Sequence, residues 1–242
     1  MKNTQIEWTH ATFNFAWGCR KVDRDPLTGA CANCFAERLM KRYGFDFETL
    51  RWLDLGRIVD SISKLPKEKK LIFLMDMSDI FGEFFADETI LSWHKKVIEV
   101  FPDREFQLLT KRIGRAMAFY RKYYNSKPPR NIWIGASVGS KDRLFRLDQL
   151  RRIEAKIRYV SFEPLLGDLG QIDLTGIQWV IVGGESGPNH RPIKEEWVRS
   201  IRDQARVYGA SFFFKQWGGL FPGGPALLDG RVWHEFPGGW QK

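Results

Sequence analysis

The chain has 242 residues, 43% of them apolar and 28% charged, with a net charge of +9; this is the make-up of one folded α/β domain or of two small ones. No run of about 18 apolar residues is present, so no membrane span is expected. The opening MKNTQIEWTH lacks the apolar core of a secretory signal, and cytoplasm is the expected compartment.

The first short apolar run, rich in β-formers, is 13–17. Residues 34–43 read as a helix, and 44–70 as a longer connection with an unplaced helix. Strands follow at 71–75, 106–110, 132–136, 159–162, 179–182 and 211–214. Helices are expected at 87–101, where Ile90, Trp93, Val97, Ile98 and Phe101 make an apolar stripe, and at 112–124, 141–156 and 194–208. Pro192 precedes the last of these and Gly209 follows it. The stretch 165–178 needs no helix. Most of the strand runs are continuously apolar, which suits parallel strands covered on both faces.

The alternation predicts an α/β fold with right-handed crossovers: a parallel-stranded (β/α) barrel, full or partial, of six to eight strands across 1–217. An open doubly wound sheet competes, but no Gly-rich dinucleotide fingerprint follows the first strand. The tail, 218–242, is rich in Gly, Pro and Trp, and ALL-DG-RVWHEF reads as a hairpin around Asp229-Gly230 packed on the barrel. Trp217, Trp233 and Trp240 there read either as a patch for a second protein or as part of a closing hairpin.

In parallel α/β folds the site lies at the carboxyl ends of the strands. Asp76 and Ser78 follow the second strand, Lys111 and Arg112 the third, and Ser137 the fourth. Glu163 follows the fifth, Glu185, His190 and Arg191 the sixth, and Lys215 the last. Convergence of Asp76, Lys111, Glu163, Glu185 and Lys215 on one barrel mouth would be costly without a ligand or mutual pairing. Arg191 suits a clamp on a carboxylate or phosphate, and Lys215 suits an anion or a proton transfer.

All three cysteines lie close together, as Cys19-x11-Cys31-x2-Cys34. A C-x2-C pair places two sulfurs on one turn, and soft thiolates select zinc, copper(I) or iron–sulfur clusters. A structural zinc wants a fourth ligand, for which His10 is a candidate. A four-iron cluster on three thiolates leaves one iron open for a chelating cosubstrate. Iron–sulfur, zinc and plain thiols all stay open on spacing alone. Phe35, next to Cys34, reads either as a shield for such a group or as the first core position of a helix with Leu39 and Tyr43.

The segments IEWTHATFNFAWGC, CANCFAERL, MSDIF, LLTKR, IWIGASV, FEPLLG, WVIVGGESGPNHRPI, FFFKQWG and LLDGRVW run through nearly the whole chain. On these the chain resembles the phage- and prophage-associated three-cysteine-motif proteins, distant relatives of radical S-adenosylmethionine enzymes of the spore photoproduct lyase type. The resemblance implies a partial barrel, a [4Fe-4S] cluster on Cys19, Cys31 and Cys34, and S-adenosylmethionine as cosubstrate. Gly183-Gly184-Glu185 is similar to the glycine-glycine-glutamate motif that meets the methionine amino group. Candidates for the cosubstrate pocket are then Asp76, Ser78, Ser137, Glu163, Glu185 and Phe35. Lys215 and Glu185 are candidate catalytic groups, and Lys111, Arg112, His190 and Arg191 candidate contacts to an anionic substrate.

A nucleic acid or nucleotide is the expected substrate, on net charge and analogy. The densest basic stretch, 141–158, holds Lys141, Arg143, Arg146, Arg151, Arg152, Lys156 and Arg158, interrupted by Asp142, Asp148 and Glu154. The rival reading is a zinc-stabilised nucleic-acid-binding or nuclease-like module. A third is a subunit that works with a second phage-encoded protein.

Overall fold

The computed structural model describes residues 4–220 and 226–240. In chain order its elements are β1 (Ala11–Phe13), β2 (Ala16–Trp17), α1 (Phe35–Arg42), β3 (Arg51–Trp52), α2 (Leu55–Ser63), β4 (Leu71–Leu74), α3 (Asp87–Trp93), β5 (Glu105–Thr110), α4 (Ile113–Tyr124), β6 (Ile132–Ser137), α5 (Phe145–Arg151), β7 (Ile157–Phe162), β8 (Trp179–Gly183), α6 (Glu195–Val207), β9 (Ser211–Gln216), β10 (Leu227–Leu228) and β11 (Arg231–Val232). Seven strands share one sheet in the order β1-β4-β5-β6-β7-β8-β9. The β1–β4, β4–β5, β7–β8 and β8–β9 pairs are parallel. The expected α/β fold with six to eight parallel strands is therefore present, as a series with two ends, β1 and β9.

The chain divides into two compact units. One holds Met1–Arg20, Ala36–Ile134 and Arg152–Lys156; the other holds Lys21–Phe35, Gly135–Arg151 and Ile157–Lys242. In the first, β4 is buried along its whole length, which is why its sequence is an unbroken apolar run. The predicted first strand, 13–17, is two strands in different sheets. Ala11 pairs with Ile72 in the main sheet, whereas Ala16 pairs antiparallel with Trp52. The break falls at Asn14, whose side-chain oxygen takes the Met77 N–H at 2.9 Å and so turns the chain away. The unplaced helix within 44–70 is α2, capped by the Asp54 carboxylate on the Arg57 N–H at 2.9 Å.

Helix α3 continues into a π-turn, His94–Ile98. His94 is fully buried there. Its Nδ1 donates to the Ile90 carbonyl at 2.8 Å and its Nε2 takes the Tyr120 hydroxyl at 3.0 Å. Both bonds suit the neutral ring, and burial holds its pKa down to about 4.

In the second unit β8 is buried throughout and the central residues of β9, Phe212, Phe213 and Phe214, are fully covered. The predicted helix 141–156 is shorter: a 3-10 turn at Lys141–Arg143 and then α5, ending at Arg151. Arg151 turns its Nε to the Thr175 carbonyl at 2.9 Å.

The tail forms the expected hairpin, β10 against β11, with positive φ at Asp229 and Gly230 as a tight two-residue turn needs. Residues 233–235 then run antiparallel along β9. The Phe214 N–H meets the Trp233 carbonyl at 2.7 Å, and the Glu235 N–H meets the Phe212 carbonyl at 3.1 Å. Trp233 is 5% exposed, with Arg231 stacked 3.4 Å from its ring, so it cannot serve the surface patch read from the sequence. It belongs to the closing hairpin.

Candidate functional site

In the first unit the polar groups gather behind β1, β4 and β5. Met75, just past β4, has φ 69, a left-handed backbone that costs a non-glycine residue about 1–3 kcal/mol and must be held by its surroundings. The turn it makes brings Asp76 beside Asn14, whose Nδ2 donates to Asp76 Oδ1 at 2.5 Å. Burial raises the pKa of Asp76 above the usual carboxylate value, against the pull of that hydrogen bond. Ser78 spends its hydroxyl on the Gly18 carbonyl at 2.5 Å.

Asp79 is the hub of this unit. It is 8% exposed and accepts from the Thr110 hydroxyl at 2.7 Å and from the Phe81 and Lys111 N–H groups at 3.0 and 3.1 Å. Arg112 lies 3.5 Å from Asp79 and 3.8 Å from Glu83, and its Nη1 is 4.0 Å from Cys19 Sγ. Burial works against this guanidinium, yet Asp79, then the Cys19 sulfur and then Glu83, raise its pKa above the ordinary value. With its side chain only 8% exposed, Arg112 braces the strand ends rather than reaching out to an anionic substrate.

In the second unit the loop Lys21–Phe35 carries Cys31 and Cys34. The eleven residues before Cys31 are folded against fixed partners. The Asp23 carboxylate takes two bonds from Arg146, at 2.9 and 2.7 Å, and lies 3.2 Å from Arg143. The Asp23 carbonyl takes the Cys31 N–H at 2.9 Å. Asp25 caps the Leu27 and Thr28 N–H groups at 2.9 and 2.7 Å. Gly29 is obligatory, because a Cβ there would sit 2.3 Å from the Asp23 carbonyl oxygen. Arg146, counted above in a basic stretch, is 4% exposed and spent inside the fold; Arg143 is paired with it on Asp23, and Arg151 is paired with Asp148 at 2.5 Å.

Glu185, 4% exposed, follows β8. It receives Arg191 Nε at 2.9 Å, the Arg191 N–H at 3.0 Å and Asn33 Nδ2 at 2.9 Å, and Arg191 Nη2 binds its other oxygen. Burial would raise its pKa, but the bonds from Arg191 and Asn33 outweigh burial and hold it below the ordinary value. The remaining Arg191 donors go to the Leu27 and Gly29 carbonyls at 2.9 and 3.1 Å. His190 is exposed, with Nδ1 2.9 Å from the Gly187 carbonyl. Glu163, whose bond to Pro164 is cis, pairs with Lys215 at 2.5 Å. Ser137 is 2% exposed and its hydroxyl has no hydrogen-bond partner among the described residues. Gly184 allows the close approach of the next strand end: a Cβ there would lie 2.1 Å from the Trp217 carbonyl oxygen. Phe35 is 57% exposed; the covered positions of α1 are Ala36 and Met40, not the Phe35–Leu39–Tyr43 stripe.

The family described as "Protein of unknown function (DUF5131)" matches residues 3–237. The chain belongs to that family. No curated protein and no solved structure matches it.

For this DUF5131 chain, thiolate donors fit a soft metal or an iron–sulfur cluster, since none of the three cysteines is in a disulfide. Among the described residues, however, no group of three or more His, Cys, Asp or Glu side chains stands ready to hold a metal ion, so no step is routed through one. His10 does not fit as a zinc ligand. Its Nδ1 takes the Leu71 N–H at 2.9 Å, which puts the proton of the neutral ring on Nε2 and leaves no lone pair for a metal. Asn14, Asp23 and Asn33 are organising residues that the sequence does not single out as site candidates, and Asp79 and Arg146 organise the fold from inside it rather than facing a ligand. Asp23 inside the cysteine gap and Asn33 inside the C-x2-C were the available signals.

Proposed function

We propose that this protein is a radical S-adenosylmethionine-like iron–sulfur enzyme, with Cys19, Cys31 and Cys34 as cluster ligands and a nucleic acid or nucleotide as substrate. The supporting observation is the cysteine loop. None of the three thiols is consumed in a disulfide, and the long first gap is a braced loop rather than slack chain. When bound, a cluster with its cosubstrate supplies one-electron reductive cleavage. The chain's own share is binding and orientation. Asp76, Ser78 and Ser137 offer polar atoms at strand ends, and the Lys215–Glu163 pair holds a proton-bearing cation beside a carboxylate. The nucleic-acid part rests on the net charge of +9, because Arg112, Arg146 and Arg191 are committed to protein partners.

A cytoplasmic location, a phage setting and a second phage-encoded partner belong to the same proposal. Among the described residues no helix is long and apolar enough to cross a membrane. Purification without oxygen, followed by iron, sulfide and zinc analysis, tests the reading. Iron and sulfide in equal amounts and a brown protein are expected; zinc without sulfide, or no metal after reconstitution, would sink it.

A further inference from the structure

We infer that Arg191 and Glu185 are positioning residues for the cysteine loop, bracing it so that Cys31 and Cys34 are placed before any metal arrives. The inference rests on the proposed metal role of those thiols, but its geometry stands alone. Arg191 spreads one rigid guanidinium over four acceptors: the Glu185 carboxylate and the carbonyls of Pro26, Leu27 and Gly29, at 3.4, 2.9 and 3.1 Å. Glu185 reaches the loop a second time through Asn33, which lies between the two cysteines and whose Nδ2 also meets the Asn189 carbonyl at 2.8 Å. The pair therefore grips the loop both before Cys31 and between Cys31 and Cys34.

A role on the cosubstrate, as the glycine-glycine-glutamate likeness implies, asks for a carboxylate with a free face. Glu185 is 4% exposed, and its four donors, three on Oε2 and one on Oε1, all come from Arg191 and Asn33, so the carboxylate is turned to the loop rather than outward. Lysine could keep the charge of Arg191 but not the fork that reaches carboxylate and carbonyls together.

The test compares full-length wild type with Arg191→Lys and Glu185→Gln, and with Arg199→Ala as a control at an exposed ion pair. Metal-free protein is treated with iodoacetamide and, separately, with trypsin, and each site is followed by mass spectrometry. Cys31 and Cys34 should label about tenfold faster in both variants, a factor equivalent to about 1.4 kcal/mol of loop opening. Cleavage after Lys21 and Arg24 should quicken likewise. Cys19, outside the loop, should keep its wild-type rate. Unchanged rates, or equal acceleration at all three cysteines, would overturn the inference, the latter because it reports general loosening. Glu185→Gln keeps the shape of the side chain, so a folding failure of one variant leaves the other to decide. In a second arm, iron or zinc uptake should weaken in the variants; uptake equal to wild type would show that the brace does not place ligands. If the wild type takes up no metal, the proposed function fails while the labelling result still decides the brace.

Discussion

Arg146 holds Asp23 through both terminal nitrogens, at 2.9 and 2.7 Å, with both side chains almost wholly out of water. Removing one member of a buried pair strands the other, at a cost of about 3–5 kcal/mol, whereas replacing both with apolar groups is often close to neutral. Arg146→Ala should therefore lose about 3–5 kcal/mol in urea unfolding, and the double change Asp23→Leu with Arg146→Met should recover most of it. A single-variant loss below about 1 kcal/mol would show that water reaches the pair.

Stability should fall in acid through His94. The unfolded ring takes up a proton near its ordinary 6.5, but the folded ring resists until about 4. The group therefore stabilises the fold fully above pH 6.5, and its share, about 3 kcal/mol, is lost as the pH falls toward 4. The Tyr120 hydroxyl bonds the ring directly and Glu99 and Lys95 act on it by charge, and the lowered pKa of Glu99 acts only below the carboxylate range. Urea midpoints from pH 7 to pH 5 should slope downward in wild type and flatten in His94→Gln; equal slopes would place the titration elsewhere.

Gly29→Ala forces a methyl group to within 2.3 Å of a backbone oxygen that cannot yield without moving the loop. A destabilisation of about 1–3 kcal/mol is expected, together with faster trypsin cleavage after Arg24. Alanine at Gly44, whose Cβ meets nothing within 4 Å, isolates the cost of a positive φ alone. Matching losses at the two sites would remove the crowding argument.

Metal retention should separate the cysteines from His10. Each Cys→Ser change should lower the metal bound per chain, and His10→Ala should leave it unchanged, because that ring already serves the Leu71 N–H. Loss of metal in His10→Ala would restore a four-ligand zinc site.

Most of the sheet was legible because strands covered on both faces must be apolar at every position, as β4 and β8 are. The first strand was misplaced because apolar character continues across Asn14 while the pairing partner changes, and partners are not written in composition. The same limit governed the site. Arg146 reads as part of a basic stretch and Arg191 as a clamp for an outside anion, since a charge shows no partner until the fold brings one: Asp23 is 123 residues from Arg146, and Gly29 is 162 from Arg191. Of the two readings open for Phe35, the core position fails because helical spacing fixes a stripe but not which stripe turns inward.

A strand at the border of a sheet leaves a row of peptide groups open to any other chain that offers a matching row. In this molecule β9 meets that row in its own tail, where residues 233–235 occupy it in antiparallel fashion. The last segment thus guards against self-association: a chain cut before Ala226 would keep its parallel strands yet present Phe212 and Phe214 backbone groups as a template for aggregation.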